Sequence, residues 1–338
     1  MQSRTYAILM AVVGFALFVV VVATNLIIDP QHVFGTGLLP RSPNANDRYE
    51  RLHAYKAAPQ RYDGLIFGSS RAVSFSPDEL ARWVNGVSFA NFAVAGGTVV
   101  DYVAILEFVL RDKASRGERL RTVFVLLDVD DWGQQPFTNK TLEYLMPPEI
   151  SGQNPLRFWW KNLIAIQFKA WSSTVRAARK ADAGMQRGES GTGILQSALS
   201  VLAPSSANAQ ALVTAPPPAK RERREFITHG IDYRHKLNLL ERFVALCREH
   251  DVQIVAVISP LSAQNADIYD PVDLGIAIAD VSRIVPLWDF TNSKAVSNNP
   301  EFWFDFSHFR PEVVQMMLRR MFGGEVPPAW ASFGRRLP

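Results

Sequence analysis

A chain of 338 residues that is 48% hydrophobic and 20% charged can bury a full core, which excludes wholesale disorder. The net charge of +4 is mild, and no Lys/Arg stripe alternates with aromatics, so no nucleic-acid partner is expected. One cysteine excludes an intramolecular disulfide, and six histidines without ligand spacing to Cys or carboxylates give no reason to expect a metal or a cofactor.

Residues 1–30 predict a signal anchor. No charged side chain occurs from Ala7 to Ile28, and about 20 such residues span a bilayer as a helix. The run is too long for a cleaved leader and no small-x-small site follows it. Asp29-Pro30 ends the run, and Arg4 before it, held on the cytoplasmic side, orients the rest of the chain outside the cytoplasm, in the periplasm if the source is a Gram-negative bacterium. Residues 31–60 are polar and punctuated and predict a stalk.

An α/β pattern then begins. Leu65–Phe67 reads as a buried strand, Pro77–Trp83 as a short helix, Val87–Phe92 as a second strand ending at Gly96-Gly97, and Val99–Leu110 as a buried helix. Thr122–Leu127 is apolar almost throughout, as in parallel sheets covered on both faces. After an interruption, Tyr233–Glu249 predicts a helix whose apolar face carries Leu237, Leu240, Phe243, Val244 and Cys247, the last as a buried core thiol. Gln253–Ile258 and Ile284–Trp288 predict two more strands. Pro311–Phe322 predicts a closing helix, with Pro at its first turn and Gly323 after its end. The α/β domain thus occupies 61–132 and 233–324, with a tail over 325–338. Alternating strands and helices argue for a parallel sheet with helices on both faces, and such sheets place sites at the carboxyl ends of their strands.

The insertion over 133–232 has two parts. In Pro155–Arg179, Trp159, Trp160, Leu163, Ile164, Phe168 and Trp171 recur at helical spacing among Lys and Arg residues, which suits either a helix lying on a membrane or a cap packed on the core. Ala181 to Ala219 has the composition of a flexible loop, with one apolar patch at Ile194–Leu202, and Lys220–Arg224 reads as a solvated charge run.

Two motifs carry chemistry. Gly68-Ser69-Ser70-Arg71 follows the first strand, and Asp305-Phe306-Ser307-His308 precedes the last helix. A serine hydroxyl needs a base to become a nucleophile, usually a histidine oriented by a carboxylate. Ser70, His308 and Asp305 are the candidates for nucleophile, base and orienter.

These residues resemble the SGNH (GDSL-type) hydrolases and acyltransferases. Gly68-Ser69-Ser70 matches that family's first block with Ser69 in the Asp place, and Asn91, Gly96 and Thr98 match its second block with Ala93 for the first Gly. Asp305 and His308 match the last block. The resemblance implies a flavodoxin-like three-layer sandwich with a central parallel sheet, and an oxyanion hole built from the N–H groups of Ser70 and Gly96. The third block departs from the family: Asp130 stands where an oxyanion-donating Asn is expected, and an ionised carboxylate accepts but does not donate. Arg71 is the nearest substitute donor in sequence.

With its anchor, the chain resembles membrane-anchored SGNH proteins of bacterial envelope polysaccharide modification. That likeness implies acyl transfer or ester hydrolysis on an extracytoplasmic polysaccharide through an acyl-Ser70 intermediate. The implied partners are a membrane-bound O-acyltransferase or a polysaccharide synthesis and export complex. The alternative is a catalytically inactive scaffold or glycan-binding subunit of such a complex. Peptidase activity, a third reading, has no peptide pocket to support it.

Overall fold

Thr122–Leu127 (β3) is buried at all six positions, as a strand covered on both faces must be. The computed structural model describes residues 2–39, 45–132, 145–185, 226–230 and 232–338. Around β3 lie β1 (Gly64–Phe67), β2 (Phe89–Asn91), β4 (Gln253–Ile258), β5 (Leu287–Asp289) and β6 (Arg335–Leu337). The sheet order is β2-β1-β3-β4-β5-β6; every pairing is parallel except β5 with β6. The chain is therefore α/β with a mostly parallel sheet. The tail expected over 325–338 ends as the antiparallel edge strand, whose Arg335 donates to the buried Asp289 carboxylate at 2.9 Å.

Successive strand residues point to opposite faces, and each face has its own cover. Ile66, Phe124, Leu126 and Val257 pack against α3 (Pro77–Trp83) and the helix Pro311–Phe322. On the other face the Phe67 ring lies 5.6 Å from Tyr102 of α4 (Val99–Ser115) and 5.6 Å from Phe243 of the helix Tyr233–Glu249. Ser76 caps α3 by accepting from Glu79 N–H, and Gly323 at φ +79° stops the helix Pro311–Phe322 in the left-handed conformation that suits glycine.

The residues fall into two compact units, 1–53 with 140–201 and 54–139 with 202–338; the sheet belongs wholly to the second. The first unit begins with α1 (Gln2–Ile28) and also holds α5 (Pro155–Ile164) and α6 (Phe168–Met185). Ser3–Ile28 of α1 is long and apolar enough to cross a membrane. Asp29 ends α1 at φ +43°, and its carboxylate collects the N–H groups of Val33, Phe34 and Gly35 at 2.8–3.2 Å.

The helical run expected from 155 to 179 is two helices. Ala165 turns extended, and the carbonyls freed there are met by Asn25 of α1. Its Nδ2 donates to Leu163 O at 2.7 Å and Ala165 O at 2.9 Å, while Trp171 Nε1 donates to its Oδ1 at 2.8 Å. A polar side chain that is 0% exposed is thus fully used.

Among the described residues, two helices of more than ten residues were not anticipated. α2 (Asp47–Ala57) lies within the expected stalk, and α8 (Pro271–Ile284), capped by Asp270, occupies residues up to the start expected for the fifth strand. That strand begins at Leu287 rather than Ile284 because Ile284 is still helical. The helix Tyr233–Glu249 is numbered α7 and Pro311–Phe322 α9. The Ala181–Ala219 loop beyond residue 185, the Ile194–Leu202 patch and the Lys220–Arg224 run lie outside the described residues.

Candidate active site

Two strands stop and two turns meet. β1 ends at Phe67 and the chain turns at Gly68, where a Cβ would stand 2.3 Å from Ala72 Cβ; this is a close approach only glycine makes. Beside it, Val94 N–H donates to Gly68 O at 3.1 Å, and a Cβ on Gly97 would meet the same oxygen at 2.6 Å. The Gly68-Ser69-Ser70 turn is therefore packed against the Gly96-Gly97 turn. Asn91 serves the backbone here, accepting from Ala93 N–H at 2.8 Å and donating to Phe75 O at 3.3 Å. Among the described residues, no hydrogen bond engages the N–H of Ser70 or of Gly96.

Ser70, His308 and Asp305 come together although 238 positions separate the first two. Ser70 Oγ lies 2.9 Å from His308 Nε2, and His308 Nδ1 lies 2.8 Å from Asp305 Oδ2. The other carboxylate oxygen, Oδ1, accepts the N–H groups of Ser307 and His308, each at 2.8 Å. Burial pushes the Asp305 carboxyl up, but the His308 ring and the two backbone donors outweigh it and hold the pKa at about 2. Asp305 is thus ionised, fixed by its own loop, and directed at the far side of the ring. Ser262 supports that loop by donating its hydroxyl to Phe306 O.

Arg71 is buried, with its guanidinium spread over three partners. Nη1 lies 2.9 Å from Asp128 Oδ1, Nη2 donates to Asp130 Oδ2, and Nε donates to Ser307 O at 2.8 Å. Burial favours loss of its proton, but Asp128 and Asp130 outweigh burial and raise its pKa. Asp130 accepts a second bond, from the Tyr269 hydroxyl. The carboxylate at the third-block position is therefore paired by Arg71 and hydrogen-bonded by Tyr269, which offsets the repulsion it would exert on a developing oxyanion. Arg71 ties the loop after β1, the loop after β3 and the His308 loop into one unit. This is the crevice between β1 and β3 from which the parallel order runs outward in both directions, the switch point where open α/β sheets bind ligands.

Asp131 has a different task. Its Oδ2 accepts Val99 N–H at 3.1 Å, at the start of the 17-residue α4, and Lys236 Nζ lies 3.2 Å from its Oδ1. Burial raises its pKa to about 6 despite Lys236.

Asp128, Asp131, Lys236, Ser262 and Tyr269 were not singled out from sequence. The two aspartates stand in the acidic third block, where their number was the available signal. Lys236 reads as one more polar position on a helix, and nothing near Tyr269 marks it. Comparison with protein-family models and with curated proteins returned no match. Site chemistry therefore carries the functional argument.

Proposed function

We propose that this chain is a membrane-anchored serine acyltransferase or acyl esterase that works through an acyl-Ser70 intermediate on an extracytoplasmic polysaccharide. The observation that carries the reading is the line Ser70–His308–Asp305, with both links at hydrogen-bond distance. The sheet order and two-sided cover support a flavodoxin-like SGNH arrangement. The motif resemblance supports a glycan hydroxyl as acceptor, and α1 supports attachment to the inner membrane with the sheet unit in the periplasm.

His308 Nε2 takes the Ser70 hydroxyl proton as Oγ attacks the acyl carbonyl carbon. The carbonyl oxygen becomes an oxyanion facing the N–H groups of Ser70 and Gly96. The tetrahedral intermediate collapses to acyl-Ser70, and the departing alkoxide takes the proton from His308. A sugar hydroxyl, or water in the esterase case, then gives its proton to His308 and attacks the acyl carbon. Ser70 leaves with that proton restored. Asp305 stays ionised throughout and stabilises the imidazolium.

Fluorophosphonate labelling tests the reading. Wild-type chain is expected to label covalently and Ser70→Ala to remain unlabelled, whereas equal labelling removes Ser70 from the chemistry. The absence of an amide donor at Asp130 favours a second reading, an inactive glycan-binding scaffold within an export complex. It prevails if Ser70→Ala and His308→Ala leave polymer acylation and export intact while deletion of the chain abolishes export.

A further inference from the structure

The first unit carries an apolar surface that α1 does not account for. On α5, Leu156 is 78% exposed, Trp159 38% and Trp160 53%; on the linker and at the start of α6, Ile166 is 61% exposed and Phe168 72%. These are large apolar side chains on one short stretch, more than the isolated ones a soluble surface carries. The opposite side of α5 is already occupied: Phe158 is fully buried with Val33 and Tyr49. The helix therefore has an inner face with a core, whose edge Trp159 shares through Phe34 and Tyr49, and an outer face that stays largely exposed.

Three observations identify the occupant of that outer face. First, it is continuous with α1. Trp160 packs on Phe18 with ring centroids 5.9 Å apart, while the end of α5 is bonded to Asn25. Phe18 and Asn25 are seven residues, or about 10 Å, apart along α1. Second, the flanking charge has one sign. From Asn154 to Ala181 there is no Asp or Glu, whereas Arg157, Lys161, Lys169, Arg176, Arg179 and Lys180 all fall there. Third, the Asn25 latch satisfies two of the carbonyls freed at the α5–α6 break, those of Leu163 and Ala165, from within the protein, as a break near hydrocarbon favours.

We infer that α5, the 165–167 linker and the first turn of α6 form a second membrane element. It is a foot that lies in the membrane interface beside α1, apolar side chains in the acyl region and cations among anionic headgroups. The inference rests on the reading of α1 as an anchor. A single anchor leaves a chain free to swivel about its axis; a latched in-plane foot removes that freedom for the first unit.

Site-directed spin labelling tests it, with full-length chain in liposomes of phosphatidylcholine and phosphatidylglycerol. In a Cys247→Ala background, single cysteines replace Ile166 and Phe168 on the foot, Phe15 on α1, and the 72%-exposed Val272 on α8. Labels at 166 and 168 are expected to collide mainly with oxygen, with nickel-chelate collisions several-fold below those at 272. Nickel-dominated collisions at 166 and 168 with oxygen-dominated collisions at 15 overturn the foot and leave the anchor standing. Protection from both reagents at 166 and 168 also overturns it, since a protein surface then covers the face. Nickel-dominated collisions at 15 remove the anchor and the foot together.

Discussion

Replacing Arg71 by Met should cost a large share of the stability of the unit that holds the site. Arg71 and Asp128 are each 4% exposed at the side chain, with Nη1 and Oδ1 2.9 Å apart. Deleting one partner of a buried pair leaves an uncompensated charge, at a cost of about 3–5 kcal/mol. Asp130, 40% exposed at its side chain, can rehydrate and adds at most about 1 kcal/mol. The expected loss is therefore roughly two to four powers of ten in the unfolding equilibrium. Arg71→Met with Asp128→Leu removes both charges and should recover all but about 1–2 kcal/mol.

Cys247 supplies the assay. It is fully buried in the same unit, and burial pushes its thiol up to about 12, so folded molecules barely react with an alkylating agent. Alkylation along a urea series then counts unfolded molecules. An Arg71→Met midpoint equal to wild type, or a double variant no more stable than the single one, would refute the view of Arg71 as a buried clamp.

Asp305→Asn keeps the shape of the loop but loses the charge that fixes the His308 ring, and the fluorophosphonate labelling rate should fall about 10³–10⁴-fold; a rate within twofold of wild type contradicts the assigned role. The same variant tests the pH dependence. The Asp305 pKa is lowered from 3.8 to about 2 on folding, so its contribution is complete above about pH 4 and lost as pH falls through about 2. Allowing for solvent screening, the stability gap between wild type and Asp305→Asn should be about 1–2 kcal/mol larger at pH 5 than at pH 2, as urea midpoints will show. Gly97→Ala drives a Cβ into Gly68 O and should displace the two turns, so labelling should drop more than the urea midpoint does; unchanged labelling would separate Gly97 from the site. Asn25→Leu strands the carbonyls of Leu163 and Ala165 and the Trp171 N–H, at about 1–3 kcal/mol per buried group. Limited proteolysis should then open residues 165–167, which stay closed in wild type.

Much of the architecture is written locally. Thr122–Leu127, Gln253–Ile258, Pro77–Trp83, Tyr233–Glu249 and Pro311–Phe322 have the boundaries their sequences predict, because apolar period, N-terminal proline and terminal glycine act within a few residues. α2 was missed because Asp47–Ala57 is polar along most of its length, and only Tyr49, Leu52 and Tyr55, three residues apart and all buried, mark its inner face. α8 was missed although Asp270-Pro271 is a capping signal, because Gly275 and a nearly continuous apolar run obscured its period. The break at Ala165 could not be read at all, since the group that stabilises it, Asn25, is 140 residues away.

The site divides along the same line. The sequence alone determined which residues could be nucleophile, base and orienter, because the chemistry restricts the side-chain types and the motifs end strands or open helices. Only the tertiary structure decided what the acidic third block does. From sequence, Asp130 was an acceptor where a donor was wanted, and Arg71 a nearby cation. In the fold, Arg71 pairs with Asp128 and Asp130 and holds Ser307 O, Tyr269 closes on Asp130, and Asp131 serves α4. Charge pairing depends on distance through space and on exclusion of water, and both are set here by four loops drawn from separate parts of the chain.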